Sequence, residues 1–416
     1  MDAPDGRRAG PAASPSLHAV FFATFFARFA FGITLAVFAS YITGKSIGLG
    51  GNDYGTVGLV SAMAPVGEFS TVLLAGAAAD RWGRFPVLFS GMAGSAVLFG
   101  LVTLSRDAIF LAGVNLAFGI ASGAILAASL AVVGDLAGEN ERGYEMGRFD
   151  AVNLFGWVAG FAAGLIAFGA LPNARLGFIF LFGAVVLAGG LALAAYLIRG
   201  EPVARGSRSY RLGPVLRSVF RRSVLLVTLP WLAIYMLIGT ALVFLGISAN
   251  GIGISPIYLG ALIGVGGSLL VLTQPYFGRL ADREGRMRMM AVGATGFVAL
   301  MLFASLLVAY GPLVPLLVAV GVSTLTALTY GPAALAALAD LTAEVSRATT
   351  MAIYSLTISL GMLLGLILST QLYDRLGHEG LYLFFGAMAI MLAALTLARY
   401  RERGAVARVP VTTPVR

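Results

Sequence analysis

Residues 76–84 read GAAADRWGR and residues 278–286 read GRLADREGR, so one pattern of glycine, aspartate and arginine occurs twice. The two stretches share G-x-x-x-D-R-x-G-R at identical spacing, 202 residues apart. Two copies at one spacing indicate an internal repeat, which outranks any single motif as evidence of architecture. The shared residues are Gly76, Asp80, Arg81, Gly83 and Arg84 in the first copy and Gly278, Asp282, Arg283, Gly285 and Arg286 in the second.

A second set of residues repeats further along the chain, at an interval of 205 residues. Asp135, Arg142, Gly156 and Gly160 correspond in this way to Asp340, Arg347, Gly361 and Gly365. We therefore predict two parallel copies that differ by a three-residue insertion or deletion.

The composition places this repeat in a membrane. Of the 416 residues, 59% are hydrophobic and 11% are charged, whereas about a quarter of a soluble protein is charged. A spanning helix needs about 20 apolar residues, so twelve of them with short connections would fill nearly the whole chain. The composition therefore excludes a cytosolic enzyme, a secreted binding module and a DNA-binding protein, despite a net charge of +9.

Cysteine and histidine offer little chemistry. The chain has no cysteine, and its two histidines, His18 and His378, lie near opposite ends of the sequence. Disulfides, thiolate metal sites and cysteine nucleophiles are thereby excluded, and a histidine metal site or triad is not expected. The sequence has no nucleotide-binding loop, so we expect no cofactor, no metal ion and no ATP-driven transport.

Apolar runs interrupted by charged or turn residues predict an all-α membrane protein with twelve transmembrane helices. The predicted spans are 17–43, 54–79, 85–104, 108–134, 147–170, 176–198, 223–249, 256–278, 289–310, 312–339, 348–370 and 381–398. The predicted organisation is a disordered tail (1–16), a first six-helix bundle (17–198), a basic linker (199–222), a second six-helix bundle (223–400) and a second tail (401–416).

The positive charges predict which side of the membrane each loop occupies. With the amino terminus inside, the outer loops hold four basic residues, and the inner loops and tails hold 23. Basic residues concentrate on the cytoplasmic side, so both termini are predicted to lie in the cytoplasm, with the chain in the cell membrane. The linker carries seven arginines, which we expect to contact anionic lipid rather than nucleic acid.

The loops at 76–84 and 278–286 resemble the loop between helices two and three of the major facilitator superfamily and its copy between helices eight and nine. The resemblance extends over essentially the full chain. It implies two parallel-repeat six-helix bundles that face each other, with a small-molecule solute bound between them near the midplane. It also implies alternating access by rocking of the bundles.

Charged residues of these loops are predicted to close the cytoplasmic side. After the tight turn at Gly83, Arg84 can reach a carboxylate at the foot of span four, such as Asp135, and Asp340 is the equivalent residue of the second half. The alternative is that both loops are solvated turns that only set the topology.

The family resemblance also implies contacts across the seam between the bundles. Asp80 would meet span eleven around Ser346 and Arg347. Asp282 would meet span five in the same way. These contacts would exist only while the cytoplasmic side is shut.

Two partial resemblances concern spans four and five. The glycines of span five resemble an antiporter motif that packs helix five closely on helix eight, although Phe161 stands where that motif has proline. Plain small-residue packing is an equal explanation. In span four, Asn115 stands where a proton-coupled exporter of the family carries arginine. The span-five glycines are Gly147, Gly156, Gly160 and Gly164.

Two charged residues lie deep inside predicted spans. At 1.5 Å per residue, Arg28 of span one lies about 15 Å above the inner surface and Glu68 of span two about 18 Å above it. A charge at the bilayer centre costs about 2.5–3.5 kcal/mol on insertion scales, so each is expected to partner the other. Glu68 could carry a proton, Arg28 could bind an anionic solute, or the pair could only fix helix packing.

Other polar residues of the predicted spans are candidates for the wall of the binding cavity. Asp150 and Asn153 lie three residues apart at the predicted start of span five, where a carboxylate stabilised by the helix dipole is preferred over a cavity role. The second half has no deep charge but offers polar-tipped side chains for one wall of an apolar cavity. These are Trp231, Tyr235, Gln274, Tyr330 and Tyr354.

The sequence thus predicts a secondary active transporter, acting as a monomer, that exports a small amphipathic compound in exchange for protons. An organic-anion carrier that uses Arg28 is the alternative within transport. A non-transporting sensor or a lipid scramblase is the alternative outside it. The deep Arg28 and Glu68 and the two gating loops favour a carrier over a sensor, because a sensor needs no pair of matched gates.

Overall fold

The computed structural model describes residues 15–43, 54–105, 107–136, 142–172, 175–199, 217, 219–248, 255–311, 313–341 and 347–406. These residues contain thirteen α-helices. They are α1 (Pro15–Thr43), α2 (Tyr54–Trp82), α3 (Arg84–Val102), α4 (Ala108–Leu136), α5 (Arg142–Ala170), α6 (Gly177–Leu197), α7 (Arg222–Ser248), α8 (Pro256–Glu284), α9 (Arg286–Tyr310), α10 (Val314–Ala327), α11 (Tyr330–Leu341), α12 (Arg347–Leu376) and α13 (His378–Val406).

Twelve membrane spans account for these thirteen helices. Within the described ranges, eleven spans are long and apolar enough to cross a bilayer, and α2, bent by 52° between Val72 and Leu74, adds a twelfth. The tenth span consists of α10 and α11, separated by a turn at residues 328–329. Pro332 explains the break, because its ring nitrogen cannot donate to the carbonyl of Leu328 four residues earlier.

The predicted tails and the predicted linker lie mostly outside the described residues. Residues 1–14, 200–216, 218 and 407–416, which include most of both tails and most of the linker, lie outside the described residues. The last helix, α13, continues to Val406, whereas the predicted bundle ended at residue 400. We call the membrane side on which α1 begins and α13 ends the terminal side, and the other side the opposite side.

Each half of the chain has its own hydrophobic core. One cluster of buried residues comes from the first half and includes Leu88 and Phe118. Another comes from the second half and includes Trp231 and Phe384. A third cluster joins the halves, because Met362 of α12 packs among residues of the first bundle. The predicted architecture of two six-helix bundles is confirmed.

Glycines set equivalent helix contacts in the two halves. A side-chain carbon at Gly160 of α5 would overlap the backbone of Phe29 in α1. At the repeated position, a side-chain carbon at Gly365 of α12 would overlap the backbone of Met236 in α7. The pair α1–α5 therefore corresponds to the pair α7–α12, as a parallel repeat requires.

The two bundles approach each other through other small residues. Gly260 and Gly267 of α8 lie against Ala162 and Val158 of α5. The span-five glycines at 156, 160 and 164 instead face α1. Small-residue packing against α1 therefore explains them, rather than the predicted approach to helix eight.

Candidate functional site

A cavity lies between the two bundles. Its wall combines α1, α2, α4 and α5 of the first half with α7, α11 and α12 of the second. Most of the wall is apolar, and a few polar groups converge on it, which is typical of a small-molecule site. The polar and aromatic lining residues are Arg28, Phe31, Glu68, Phe149, Asp150, Asn153, Trp157, Tyr235, Tyr354 and Ser359.

Arg28 lies on this wall and is held by α5. Its Nε donates to Oδ1 of Asn153 over 2.7 Å, and its guanidinium carbon lies 6.0 Å from the ring centroid of Phe31. Gly156 makes this possible, because it lets α5 approach α1 at Phe25 and Arg28. A cation over an aromatic face gains electrostatic stabilisation from the ring.

Glu68 lines the same cavity but has a different partner from the predicted one. Its Oε2 accepts a hydrogen bond of 3.2 Å from Oγ of Ser122, and the residue is 8% exposed. Arg28 and Glu68, both described, form no ion pair within 4.0 Å. The expected pair is absent because each side chain has a partner on another helix. Gly123 lets α4 lie against the backbone of Glu68, and Arg28 of α1 bonds to Asn153 of α5.

Asp150 lies further from the start of its helix than predicted. Because α5 begins at Arg142 rather than near residue 147, Asp150 lies about 12 Å along the helix axis. Its Oδ1 accepts a hydrogen bond of 3.2 Å from the hydroxyl of Tyr354 in α12. The preferred explanation, a carboxylate at a helix start, is therefore wrong, and Asp150 belongs to the cavity wall.

Tyr354 extends this contact into the second bundle. Its hydroxyl lies 3.3 Å from the hydroxyl of Tyr235 in α7, and its ring centroid lies 4.8 Å from that of Trp231. Asp150, Tyr354 and Tyr235 thus form a hydrogen-bonded chain across the seam between the bundles.

Four of the predicted residues do not line the central cavity, and one of them, Trp231, lies in the core of the second bundle. The buried Tyr330 sits in the core of the second bundle, where its hydroxyl donates to the carbonyl of Val227 over 2.9 Å. Gln274 is half-buried on α8 and does not line the cavity. Asn115 donates to the carbonyl of Val60 over 2.9 Å and lines a second, narrower cavity.

Two residues at the central cavity were not predicted from the sequence, one that bonds to a residue of its wall and one that belongs to the wall. Ser122 holds Glu68, and Trp157 contributes a large aromatic wall. A serine and a tryptophan inside apolar helices are common, so their positions alone gave no signal. They become informative only once the helices that face the cavity are known.

The first gating loop forms a compact ion cluster. The buried Arg84 donates to Asp80, and its Nε lies 2.9 Å from Oδ2 of Asp135. Gly83 has a φ of 102°, a left-handed conformation that favours glycine. The predicted contact between Arg84 and Asp135 is confirmed, while the neighbouring Arg81 is exposed.

The second gating loop has the same turn but looser charges. Gly285 has a φ of 92°. Arg286 donates to the carbonyl of Ala336 over 3.1 Å and lies 3.7 Å from Asp282. Arg283 is exposed, and the side chain of Asp340 lies outside the described residues.

The contacts predicted between the bundles on the terminal side involve residues that the structure does not describe. Ser346 and the side chain of Arg347 lie outside the described residues, so the contact of Asp80 with span eleven is not tested. The side chain of Asp282 is 66% exposed and lies 3.7 Å from Arg286. The side chains of residues 142–147, at the start of α5, lie outside the described residues, so the contact of Asp282 with span five is not tested either.

On the opposite side the bundles are fastened together. Asp374 at the end of α12 accepts hydrogen bonds from the backbone N–H groups of Tyr54, at 2.9 Å, and Gly55, at the start of α2. The ring centroid of Tyr54 lies 4.7 Å from that of Tyr373 and 6.1 Å from that of Phe244. We call these contacts the Asp374 clasp.

Comparisons with known proteins agree with this architecture. A sequence profile of the Major Facilitator Superfamily matches residues 20–269 and 232–414. The chain is similar to the crystal structure of the nucleoside transporter NupG, with 14% identity, a TM-score of 0.64, and coverage of 93% of this chain and 98% of that one. A mutant of NupG gives 15% identity, a TM-score of 0.67, and coverage of 92% and 99%.

A third similar structure is the human organic anion transporter MFSD10 (TETRAN). It has 18% identity and a TM-score of 0.66, and the match covers 93% of this chain and 99% of that one. At such identities these three structures support the fold. The match of the family profile covers nearly the whole chain, so the protein belongs to the Major Facilitator Superfamily and is a membrane transporter of small solutes, not an enzyme.

Proposed function

We propose that this transporter exports a small amphipathic solute in exchange for protons, acting as a monomer in the cell membrane with both termini in the cytoplasm. The observation that carries the proposal is the hydrogen bond from Tyr354 of α12 to Asp150 of α5, inside the central cavity. It joins a titratable group of one bundle to the other bundle at the place where a solute would bind.

Protonation of Asp150 would act directly on this contact. A hydrogen bond to an ionised carboxylate is roughly twice as strong as a neutral one. When a proton binds Asp150, the bond from Tyr354 loses this charge assistance, and the two bundles separate more easily. Proton binding and bundle movement are then linked, and each changes the free energy of the other by the same amount.

Glu68 is the second proposed proton site. It faces the same cavity, but its bond with Ser122 stays inside the first bundle. A proton on Glu68 would therefore change the charge of the cavity without breaking a contact between the bundles. Asp150 is assigned the coupling role, and Glu68 the role of setting the charge that the solute meets.

The clasp on the opposite side supports alternating access. The Asp374 clasp joins α12 to α2, whereas Asp282 on the terminal side is largely exposed. This combination is expected of a state closed on the opposite side and loosened on the terminal side. The excess of arginine in the terminal-side loops and linker, where contact with anionic lipid is proposed, supports a cytoplasmic location for that side.

An organic-anion carrier remains the second candidate, because the guanidinium of Arg28 lines the cavity. One similar structure is itself an organic anion transporter. Against this, the described wall carries two carboxylates, Glu68 and Asp150, for one guanidinium. Its formal charge favours a cation or a proton over an anion.

The test is transport by purified protein in proteoliposomes with an imposed pH gradient. The solute panel contains organic cations, organic anions and nucleosides. Asp150→Asn should abolish accumulation driven by the gradient, while exchange of labelled solute down its own gradient continues. Glu68→Gln should instead change which solutes are exchanged.

Asp107→Asn is the matched control, since this exposed aspartate lies in a loop away from the cavity. It should behave as the parent does. If Asp150→Asn retains the parental ratio of gradient-driven to passive transport, Asp150 does not couple the proton. If organic anions alone are transported, and Arg28→Ala abolishes their binding, the second candidate is correct.

A further inference from the structure

A second, smaller cavity lies between the central cavity and the opposite side. In α1 its wall runs from Phe31 to Phe38, after Arg28, and in α2 it runs from Ser61 to Pro65, before Glu68. Its volume is about 30 Å³, which is about the volume of one molecule in liquid water. We call it the small cavity. A single water fits this space, and an organic solute does not.

Three polar side chains line the small cavity, namely those of Thr34, Ser61 and Asn115. Ser61 is 4% exposed, and among the described residues its hydroxyl has no hydrogen-bond partner. The hydroxyl of Thr34 donates to backbone carbonyls of its own helix, at Ala30 and Phe31, so its oxygen can still accept. A buried hydroxyl without a partner costs free energy, so such a group calls for a ligand that bonds to it.

Asn115 contributes an acceptor to the same wall. Pro65 has no N–H to give to the carbonyl of Ser61 four residues earlier, so the helix leaves that acceptor open. The amide nitrogen of Asn115 donates to this carbonyl over 3.5 Å and to that of Val60 over 2.9 Å. Its Oδ1 has no partner among the described residues. One water can donate to Asn115 and Thr34 and accept from Ser61, which makes the roughly three bonds typical of a buried water.

The small cavity is aligned with Glu68 of the central cavity. Ser61 and Glu68 are seven residues apart in α2, so they share a face of the helix and lie about 10 Å apart along its axis. Asn115 and Ser122 have the same spacing in α4, and they bond to α2 at Ser61 and at Glu68. The two polar levels are therefore fixed by one pair of parallel helices.

A single layer of side chains separates the two cavities. Phe31, Pro65 and Met362 line both. The central cavity has a volume of about 110 Å³, which is room for about three or four waters. Met362 is the adaptable part of the layer, because an unbranched thioether side chain repacks readily. Movement of Met362 would bring water in the two cavities into contact.

A polar contact also lies beside the small cavity on its outer side. Val102, the last residue of α3, lines the cavity, and its carbonyl accepts from the hydroxyl of Tyr41 over 3.5 Å. The loop that follows α3 reaches the surface, since Leu104 is 73% exposed and Asp107 is exposed. The small cavity is thus the buried polar place between this surface and the central carboxylates.

We propose that the small cavity binds one water molecule and that this water passes protons between the opposite side and Glu68. A proton that reaches the water forms H₃O⁺. Another proton then leaves for a water of the central cavity and ends on Glu68 or Asp150, so the bound water is regenerated. The inference rests on the proposed function in that protons are coupled to transport, and it adds the route that they take. Thr34, Ser61 and Asn115 act as positioning residues for this water.

The water itself is tested by oxidative labelling. A synchrotron X-ray pulse converts bound water to hydroxyl radicals, which oxidise neighbouring side chains that mass spectrometry then identifies. The buried rings of Phe99 and Phe118 line the small cavity but not the central one, so at least one of them should be oxidised in the parent protein. Phe384, 2% exposed in the core of the second bundle, lines neither cavity and should stay unmodified.

Two variants of nearly equal shape test the role of the Ser61 hydroxyl. Ser61→Thr keeps the hydroxyl, and Ser61→Val replaces it with a methyl group. Oxidation of the two rings should fall by about fivefold or more in Ser61→Val, the occupancy lost with one hydrogen bond, and stay near the parental level in Ser61→Thr. Ser61→Ala provides the same test if the branched side chains prevent folding.

The relay is tested with the same variants in proteoliposomes. Ser61→Val should slow accumulation driven by the pH gradient by about fivefold or more, while exchange of labelled solute down its own gradient keeps the parental rate. A merely structural role of Ser61 would change both rates together. Ser95→Ala is the matched control, because Ser95 is a fully buried serine of α3 that lines neither cavity and has no hydrogen-bond partner among the described residues.

The outcomes separate this inference from the proposed function. Proton-driven transport by a parent protein in which neither Phe99 nor Phe118 is oxidised would overturn the water site and leave proton coupling standing. Equal ratios of gradient-driven to passive transport in Ser61→Val and Ser61→Thr would overturn the relay. Oxidation of these rings together with parental transport that ignores the pH gradient would support the water site and contradict proton coupling.

Discussion

The loops at 76–84 and 278–286 have one motif and two environments. In the first loop, the side chain of Arg84 is 7% exposed and forms ion pairs with both Asp80 and Asp135. In the second, the side chain of Arg286 is 34% exposed and that of Asp282 is 66% exposed. The motif therefore determines the turn, while the neighbouring helices determine how far its charges are buried. The two copies should differ most where burial matters and least where only the turn matters.

The largest difference is expected for the arginines. Arg84→Ala leaves two carboxylates beside each other without their cation, and we expect a loss of about 2–4 kcal/mol, below the full cost of a buried pair because Asp135 is partly exposed. Arg286→Ala should cost less than about 1 kcal/mol, as for a largely exposed pair. In thermal unfolding in detergent, Tm should fall by roughly 5–10 °C for the first variant and by less than about 3 °C for the second.

Arg81→Ala is the control for this pair, because Arg81 is exposed in the same loop as Arg84. Its Tm should match the parent. Equal losses for the Arg84 and Arg286 variants would mean that the buried cluster contributes no more than the exposed one.

The glycines should behave alike. Gly83→Ala and Gly285→Ala each place a side chain at positive φ, which costs of order 1–3 kcal/mol. Gly83→Ala should be slightly worse, since its new carbon would lie 3.3 Å from the Pro86 ring, whereas Gly285 faces open space. Thermal unfolding of both variants measures the difference.

Gly113→Ala is the matched control for the glycines. Gly113 lies inside α4 with open space around its α-carbon, so alanine there should be neutral or stabilising. A large difference between the two loop variants would show that their turns are not equivalent.

The Asp374 clasp supplies a gate against which the loops can be compared. Asp374→Asn weakens the bonds to the first two N–H groups of α2 and removes a negative charge that the helix dipole stabilises. The contact between the bundles should lose about 0.5–2 kcal/mol of stability. The closed population on the opposite side should fall, by up to about thirtyfold for a balanced equilibrium. Spin-label distances between the opposite-side ends of α2 and α12 measure this population. An unchanged distance distribution would mean that the clasp follows closure rather than maintaining it.

The smallest effects are expected for the gating aspartates. A contact between Asp80 and the start of α12 would contribute about 0.3–2 kcal/mol to closure of the terminal side, so Asp80→Asn should favour opening there. Asp282→Asn should have less effect, because its side chain is already largely exposed. Spin labels at the terminal-side ends of α2 and α12 test the first variant, and labels on α5 and α8 test the second. If the populations match the parent in both, the loops are only turns that set the topology.

The fold could be predicted almost completely from the sequence. Twelve apolar runs, the duplicated loop and the offset glycines at 160 and 365 were sufficient, because membrane insertion and helix packing depend on local composition and spacing. The break of the tenth span was not predicted, although Pro332 provided the signal for it.

The candidate site was predicted only in part. Arg28, Glu68 and Asn153 stood out as polar residues in apolar helices, and the structure places all three on one cavity. Their partners were not predictable, because Arg28 bonds to Asn153, and Glu68 to Ser122, across helix contacts that glycines set.

The sequence by itself therefore determined the membrane class, the repeat and the identity of the charged groups, since burying a charge in a bilayer is costly wherever its partner lies. Only the tertiary structure decided which of these groups meet. Asp150 reaches Tyr354, 204 residues away, because the two bundles face each other at this depth. Contacts between bundles depend on how two separately packed surfaces dock, and no local pattern in either half records that geometry.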